Sequence, residues 1–157
     1  MVLKLLQRKD PPDPFLCQPI VTDRFHLVNC NRKEAIKITA PWRQDPEVLH
    51  NLMMAKTSYS AMQWIKTIKK PDGHSRFVHA IVSKEINGTI GAHRLTINKS
   101  GTASMAIVIH ARSWWGKDVF DEVRTGILDH FSQSDRGVRF YGRVLSRNVS
   151  SIYNYNK

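Results

Sequence analysis

The stretch that decides the fold is RFVHAIVSKEINGTIGAHRLTINKSGTASMAIVIHARSWWGKDVFDEVRTGILDHF, residues 76–131. Within it FVHAIV, residues 77–82, is a run of β-branched and aromatic residues of strand length. Asn87-Gly88 follows, the pair most favoured in tight hairpin turns. TIGAHRLTI, residues 89–97, supplies the returning strand. After Asn98-Lys99-Ser100-Gly101, SMAIVI at residues 104–109 supplies a third. The period then changes. Val119, Phe120, Val123, Ile127, Leu128 and Phe131 recur at helical intervals and predict a helix over residues 119–133. RFYGRVL, residues 139–145, reads as a further strand. A meander, a helix and another strand predict a mixed α/β (α+β) domain whose largely antiparallel sheet is flanked by helices.

Outward from this centre the signals are shorter. Pro11, Pro12, Pro14 and Pro19 argue against helix and predict an extended arm over residues 1–19, ahead of one domain over 20–157. Residues 25–28 are a short strand candidate. Residues 32–50 carry helical spacing punctuated by Pro41 and Pro46, each suited to a helix start, and Asp45-Pro46-Glu47 reads as an N-cap with proline in the first turn. Ser58 or Ser60 caps a helix over 61–68, which Pro71-Asp72-Gly73 stops. Ser150-Ser151-Ile152-Tyr153 begins a last helix. Trp42 and Trp64, among aliphatic neighbours, belong to the core or line a cleft. Trp114 and Trp115 either stack on a ligand or plug the core beside a turn.

A chain of 157 residues with 41% hydrophobic content suits one domain with a sizeable core. No apolar run reaches the roughly 20 residues of a membrane span, and the apolar opening at residues 1–6 is too short for a signal peptide. Cys17 and Cys30 form no Cys-x-x-Cys pair, and no histidine cluster has zinc spacing. They read as reduced thiols of a cytoplasmic protein without a metal. The net charge of +11 is spread along the chain. It suits either a solvated basic surface or a face for a polyanion such as nucleic acid, an acidic protein or a phosphorylated ligand.

The order strand, one-glycine turn, helix, strand places backbone N–H groups and a helix N-terminus at Gly116, with Lys117 beside them. This is either an anion site or a plain connecting turn. HARSWWGKDVFDEV, residues 110–123, resembles the turn and helix that hold coenzyme A in the RimJ/RimL-like branch of the GNAT superfamily of N-acetyltransferases. VTDRFHLV is similar to that family's first strand, and EAIKITAPWRQDPEVLHNLM to its first two helices with a Trp-Arg-x-Asp-Pro-Glu-Val signature. MQWIKTI and RFVHAIVSKEINGTIGAHRLT match in kind and order. RVLSRNVSSIYNYNK resembles the Asn-x-x-Ser-Ile-x-x-Tyr segment, so the likeness covers roughly residues 20–157.

The resemblance implies acetyl-coenzyme A as cosubstrate. Trp114, Trp115, Gly116, Lys117, Asp118 and Val119 would cradle its pyrophosphate through backbone amides, with Arg112 nearby. Ile107, Val108 and Ile109 would pair with the pantetheine arm, which a splay from the strand at 140–144 admits. Asn148 would hydrogen-bond there, and Tyr155 would protonate the departing thiolate. Where many relatives place a Glu base, His110, His79 or His93 either takes the amine proton through water or is an ordinary strand histidine. The acceptor would be a protein N-terminus, an amino sugar or another small amine. Three departures stand out. Asp118 occupies a position that is usually Gly or Ala. No Glu lies near Ser104-Met105. Two further family strands are expected to be missing after Lys157. These departures suit an alternative reading, a catalytically weak or inactive module that binds coenzyme A, RNA or the ribosome. A homodimer would cover the open sheet edge.

Overall fold

The structure, a computed structural model, describes residues 10–156. The apolar opening at residues 1–6, the first nine residues of the expected arm, and Lys157 lie outside the described residues.

One six-stranded sheet runs in chain order: β1 (Ile20–Val21), β2 (Phe25–Asn29), β3 (Arg76–Ser83), β4 (Gly88–Ile97), β5 (Thr102–Ile109) and β6 (Arg139–Tyr141). Neighbours pair antiparallel up to β5, and β6 joins β5 in parallel. A parallel neighbour demands a crossover, supplied by α4 (Val119–Ser132). Val119, Val123, Ile127 and Phe131 recur every fourth residue and form the stripe that α4 buries on Phe25, Leu27, Phe77, Ile81 and Leu95. The other face of the sheet presents Val78, Ala80, Ala92 and Val108. Covering it are α1 (Arg32–Thr39), a 3₁₀ turn (Ala40–Gln44), α2 (Pro46–Asn51) and α3 (Ala61–Thr67), through Ala35, Trp42, Leu49 and Trp64. The mixed, helix-flanked sheet expected from the sequence is the one observed.

The helix starts follow their capping residues. Asp45 Oδ1 accepts from the N–H groups of Glu47 and Val48, with Pro46 in the first turn of α2. Ser60 and Gln63 form a capping box on α3. Both tryptophans expected in the core are there, Trp42 and Trp64 being almost fully buried.

Three local expectations need correction. The described part of the proline-rich segment is a turn, not an extended arm. Asp13 Oδ1 accepts from the amides of Phe15 and Leu16, and Leu16 is wholly buried in the core. Proline is excluded from a helix interior but not from the start of a turn, where Pro14 sits. The hairpin at Asn87-Gly88 closes through four residues, 84–87, with Asn87 at φ 48° and Ser83 Oγ accepting from the amides of Glu85 and Ile86. The strand expected over 139–145 stops at Tyr141. Beyond it the ring of Tyr155 crosses so near Gly142 that a Cβ there would meet it at 2.8 Å.

Candidate functional site

The site arises where β5 loses its neighbour. β4 pairs with β5 from Ala103 to Ile109, whereas β6 pairs with it only from Thr102 to Ser104. Residues 105–109 therefore turn an unpaired backbone edge toward a cleft of about 620 Å³ lined by Met105, Ala106, Ile107, Val108 and Ile109. Sheet edges left open in this way accept an extended polar ligand through main-chain hydrogen bonds.

The end of β5 is shaped by a β-bulge. Ile81 faces Gly91 but Val82 faces Thr89, so Ile90 is an extra residue. Its carbonyl accepts from both His110 and Ala111, at 3.1 Å each, and draws the chain off the sheet. A 3₁₀ turn (Arg112–Trp114) then buries Trp114 against Phe25, edge to face at 5.6 Å. Trp115 stays half exposed, donating from Nε1 to the Ile109 carbonyl at 2.8 Å beneath the Arg112 guanidinium. Trp114 thus plugs the core, while Trp115 lines the cleft.

Gly116 at φ +71° and Asp118 at φ +54° both lie in the left-handed region, which bends the chain sharply into α4. The first helical bond is Glu122 N–H to the Asp118 carbonyl, at 3.2 Å. The first-turn amides of Val119 and Phe120 point out of the helix end, and both residues line the cleft. Asp118 takes the N-cap position without a side-chain cap bond. Glu122 locks this end of α4 to the sheet, accepting from Thr22 Oγ1 at 2.6 Å, Arg24 N–H at 2.8 Å and Arg24 Nε at 2.6 Å. Burial alone would raise its carboxyl, but these donors outweigh burial and hold it below its ordinary range.

The opposite wall comes from the chain after β6 and from α5 (Val149–Tyr155). Asn148 caps α5 through Oδ1, which accepts from Ser151 N–H at 3.2 Å, so its amide Nδ2 is the group left to donate into the cleft. Tyr155 packs edge to face on Phe120 at 5.4 Å. Burial pushes its hydroxyl up, against the pull of Arg124, and the phenol stays protonated at neutral pH. A third wall, α2, brings Glu47 and Asn51, which sequence reasoning did not single out as site residues. The signal for Glu47 was present in the Asp-Pro-Glu segment, read as a cap and as part of the family signature.

The cleft lining gathers Ile107, Val108, Ile109, Arg112, Trp114, Trp115, Gly116, Asp118, Val119, Asn148 and Tyr155. Lys117 and His110 are not part of it. Lys117 folds its ammonium over Trp114 at 5.4 Å, and its carbonyl accepts from Arg24. His110 has a buried Nδ1 without a partner among the described residues, and burial pushes its pKa down against a hydrogen bond with the Thr89 backbone. His79 and His93 are wholly buried in the core, Nδ1 to Nδ1 at 3.0 Å, and their burial holds both neutral. Neither lines this cleft. No cluster of metal-ligating residues occurs among the described residues.

The profile of the acetyltransferase (GNAT) domain matches residues 24–156. No curated protein matches the chain by sequence. Among solved structures, an acetyltransferase of the GNAT family from Bacillus anthracis superposes with TM-score 0.69 at 13% identity, over 88% of this chain and 81% of that one. The ribosomal L7/L12 alpha-N-protein acetyltransferase RimL, in complex with coenzyme A, gives TM-score 0.64 at 13% identity, over 88% and 81%. Aminoglycoside acetyltransferase AAC(6')-Ib, also with coenzyme A, gives 0.65 at 11%, over 83% and 80%. At such identities the superpositions establish the fold.

Proposed function

Since the chain belongs to the acetyltransferase (GNAT) domain family, we propose that it transfers the acetyl group of acetyl-coenzyme A to a primary amine in the cleft beside β5. The observation that carries this is the unpaired edge at residues 105–109, lying next to the N-terminus of α4. The fit to coenzyme A is chemical at each point. The open edge offers donors and acceptors to the two amides of a pantetheine arm. The turn at Gly116 and the α4 amides offer N–H groups and a positive dipole end to a pyrophosphate, with Arg112 alongside. Two of the compared structures, RimL and AAC(6')-Ib, hold coenzyme A.

When bound, acetyl-coenzyme A supplies the activated acyl group. The chain's residues do the rest. The β5 backbone orients the thioester and donates to its carbonyl oxygen as charge develops there. Asn148 Nδ2 fixes the arm. Tyr155, kept protonated by its partial burial, gives its proton to the leaving sulfur. The amine enters from the α2 wall and loses its proton toward the exposed Glu47 carboxylate, because none of the three histidines lines the cleft.

The Trp-Arg-x-Asp-Pro-Glu-Val and Asn-x-x-Ser-Ile segments support placement in the RimJ/RimL-like branch, with a protein N-terminus, amino sugar or small amine as acceptor. The cysteines, both free, support a cytoplasmic setting. Among the described residues no helix is long and apolar enough to cross a membrane.

Calorimetry with coenzyme A tests the proposal, using the unmodified chain and Gly116→Trp. A Cβ at Gly116 meets nothing within 4 Å, so the indole would stand at the cleft, and at φ +71° it would also strain the turn that presents the α4 amides. Binding heat that the substitution abolishes is expected. No heat from the unmodified chain refutes it.

A further inference from the structure

On the sheet face opposite α4 a second cavity of about 250 Å³ lies beneath α1, α3 and the 3₁₀ turn. Two rows of side chains cross the sheet there. Arg76 faces Thr96, which faces Ser104. Val78 faces Arg94, which faces Ala106. Arg76 and Arg94 are therefore diagonal neighbours on one face, about 7 Å apart at Cβ, and Lys69 from the end of α3 joins them. No Asp or Glu lines this cavity. Like charges so placed repel unless an anion lies between them.

Two buried N–H donors of the lining lack partners among the described residues. Trp42 is 7% exposed and lines the cavity, and its Nε1 is buried with no partner among the described residues. Arg76 Nε is likewise buried and unpartnered. Arg76 reaches Asp72 only at 3.6 Å, and that carboxylate already accepts from Ser75 Oγ and from the amides of His74, Ser75 and Arg76. The side chains of Arg94 and Lys69 are exposed at the rim and form no ion pair among the described residues. Trp42 Nε1 and Arg76 Nε are both N–H donors. A buried donor without a partner costs about 1–3 kcal/mol, and an anion would satisfy several at once.

The cavity adjoins the transfer cleft. Ser104, the last β5 residue paired with β6, lines the cavity. Ala106, directly opposite Arg94, lines the cleft, and Leu52 lines both. We propose that this cavity is an acceptor subsite for an anionic group, a phosphate or carboxylate carried by the amine substrate. The proposal rests on the transferase reading above. Cations beside the amine also favour its neutral, nucleophilic form.

Phenyl phosphate is the probe, with benzoate in parallel to tell phosphate from carboxylate. Titrations are followed by calorimetry on the full chain with and without saturating coenzyme A, because the pyrophosphate site also binds anions. Binding of either probe that persists with coenzyme A present is expected. It should weaken at least tenfold in Arg94→Gln and in Arg76→Gln, and stay within about threefold in Arg94→Lys, while coenzyme A affinity is unchanged in all three. No binding of either probe, competition by coenzyme A, or equal affinity in the Gln variants overturns the subsite. Its acceptor role is read from thiol release: phosphoethanolamine should exceed ethanolamine at least tenfold in kcat/KM, and Arg94→Gln should remove the difference. Equal rates, zero included, overturn that role. Absent coenzyme A heat with probe binding intact would sink the transferase reading and the acceptor role with it, leaving an anion site.

Discussion

Replacing the buried pair His79 and His93 by leucine should make the protein more acid-resistant. Both rings are wholly buried between β3 and β4 and Phe131, and among the described residues they meet each other as their polar contact, Nδ1 to Nδ1 at 3.0 Å. One Nδ1 must carry the hydrogen and the other the lone pair. Both Nε2 atoms are buried without partners among the described residues. Burial lowers both pKa values from 6.5, with charge from His130 acting further on His79 and charge from His79 and Arg94 on His93. The sign follows directly. Below the free-imidazole pKa the unfolded chain binds protons that the folded chain refuses, so stability is present above about pH 6.5 and falls as pH drops below it. At about pH 5 each histidine removes roughly 2 kcal/mol, about 4 kcal/mol for the two, against a total of roughly 5–15 kcal/mol for a typical domain. The double variant loses two imperfectly satisfied polar rings and should match the unmodified protein within about 1 kcal/mol near pH 8. Each single variant should be worse than the double, because it strands the surviving Nδ1. Urea unfolding at several pH values reads this out as a difference in slope of up to two protons per molecule. Identical slopes for the unmodified and double-variant proteins would refute the reasoning.

Glu122→Ala should cost about 2 kcal/mol, after discounting the partly exposed Arg24 guanidinium, and lower Tm by roughly 4–8 °C in calorimetry. Because the Glu122 carboxyl is held below its ordinary range, the contribution it loses is present above about pH 4.3 and fades on further acidification, so the gap between the two proteins should close there. Tyr155→Phe should reduce kcat about 100-fold or more if the phenol is the acid, leaving coenzyme A affinity within about twofold in calorimetry; unchanged kcat would remove Tyr155 from the reaction. Gly142→Ala places a methyl 2.8 Å from that ring and should lower kcat by displacing it, with a smaller change in Tm than in rate.

Most of the fold was legible because its signals are local. Val119, Val123, Ile127 and Phe131 announce α4 by spacing, and Asp45, Pro46 and Ser60 fix helix starts by capping chemistry that needs only neighbouring residues. The proline-rich segment misled for the same reason. Proline content describes the local backbone, whereas burial of Leu16 depends on distant strands. The histidines misled differently. Strand alternation puts His79 and His93 on the face with Phe77 and Ile81, but which face meets α4 and which meets the cleft is not written in either strand.

By itself the sequence determined the elements, their order and the family resemblance, and so the glycine turn before α4. Only the tertiary structure decided the site. The edge of β5 is open because β6 ends at Tyr141, and β6 ends where Tyr155 crosses Gly142, two residues thirteen apart whose meeting no local propensity encodes. The gathering of Arg76, Arg94, Lys69 and Trp42 is likewise a matter of strand register and helix docking, which are set by the burial of whole faces rather than by any one segment.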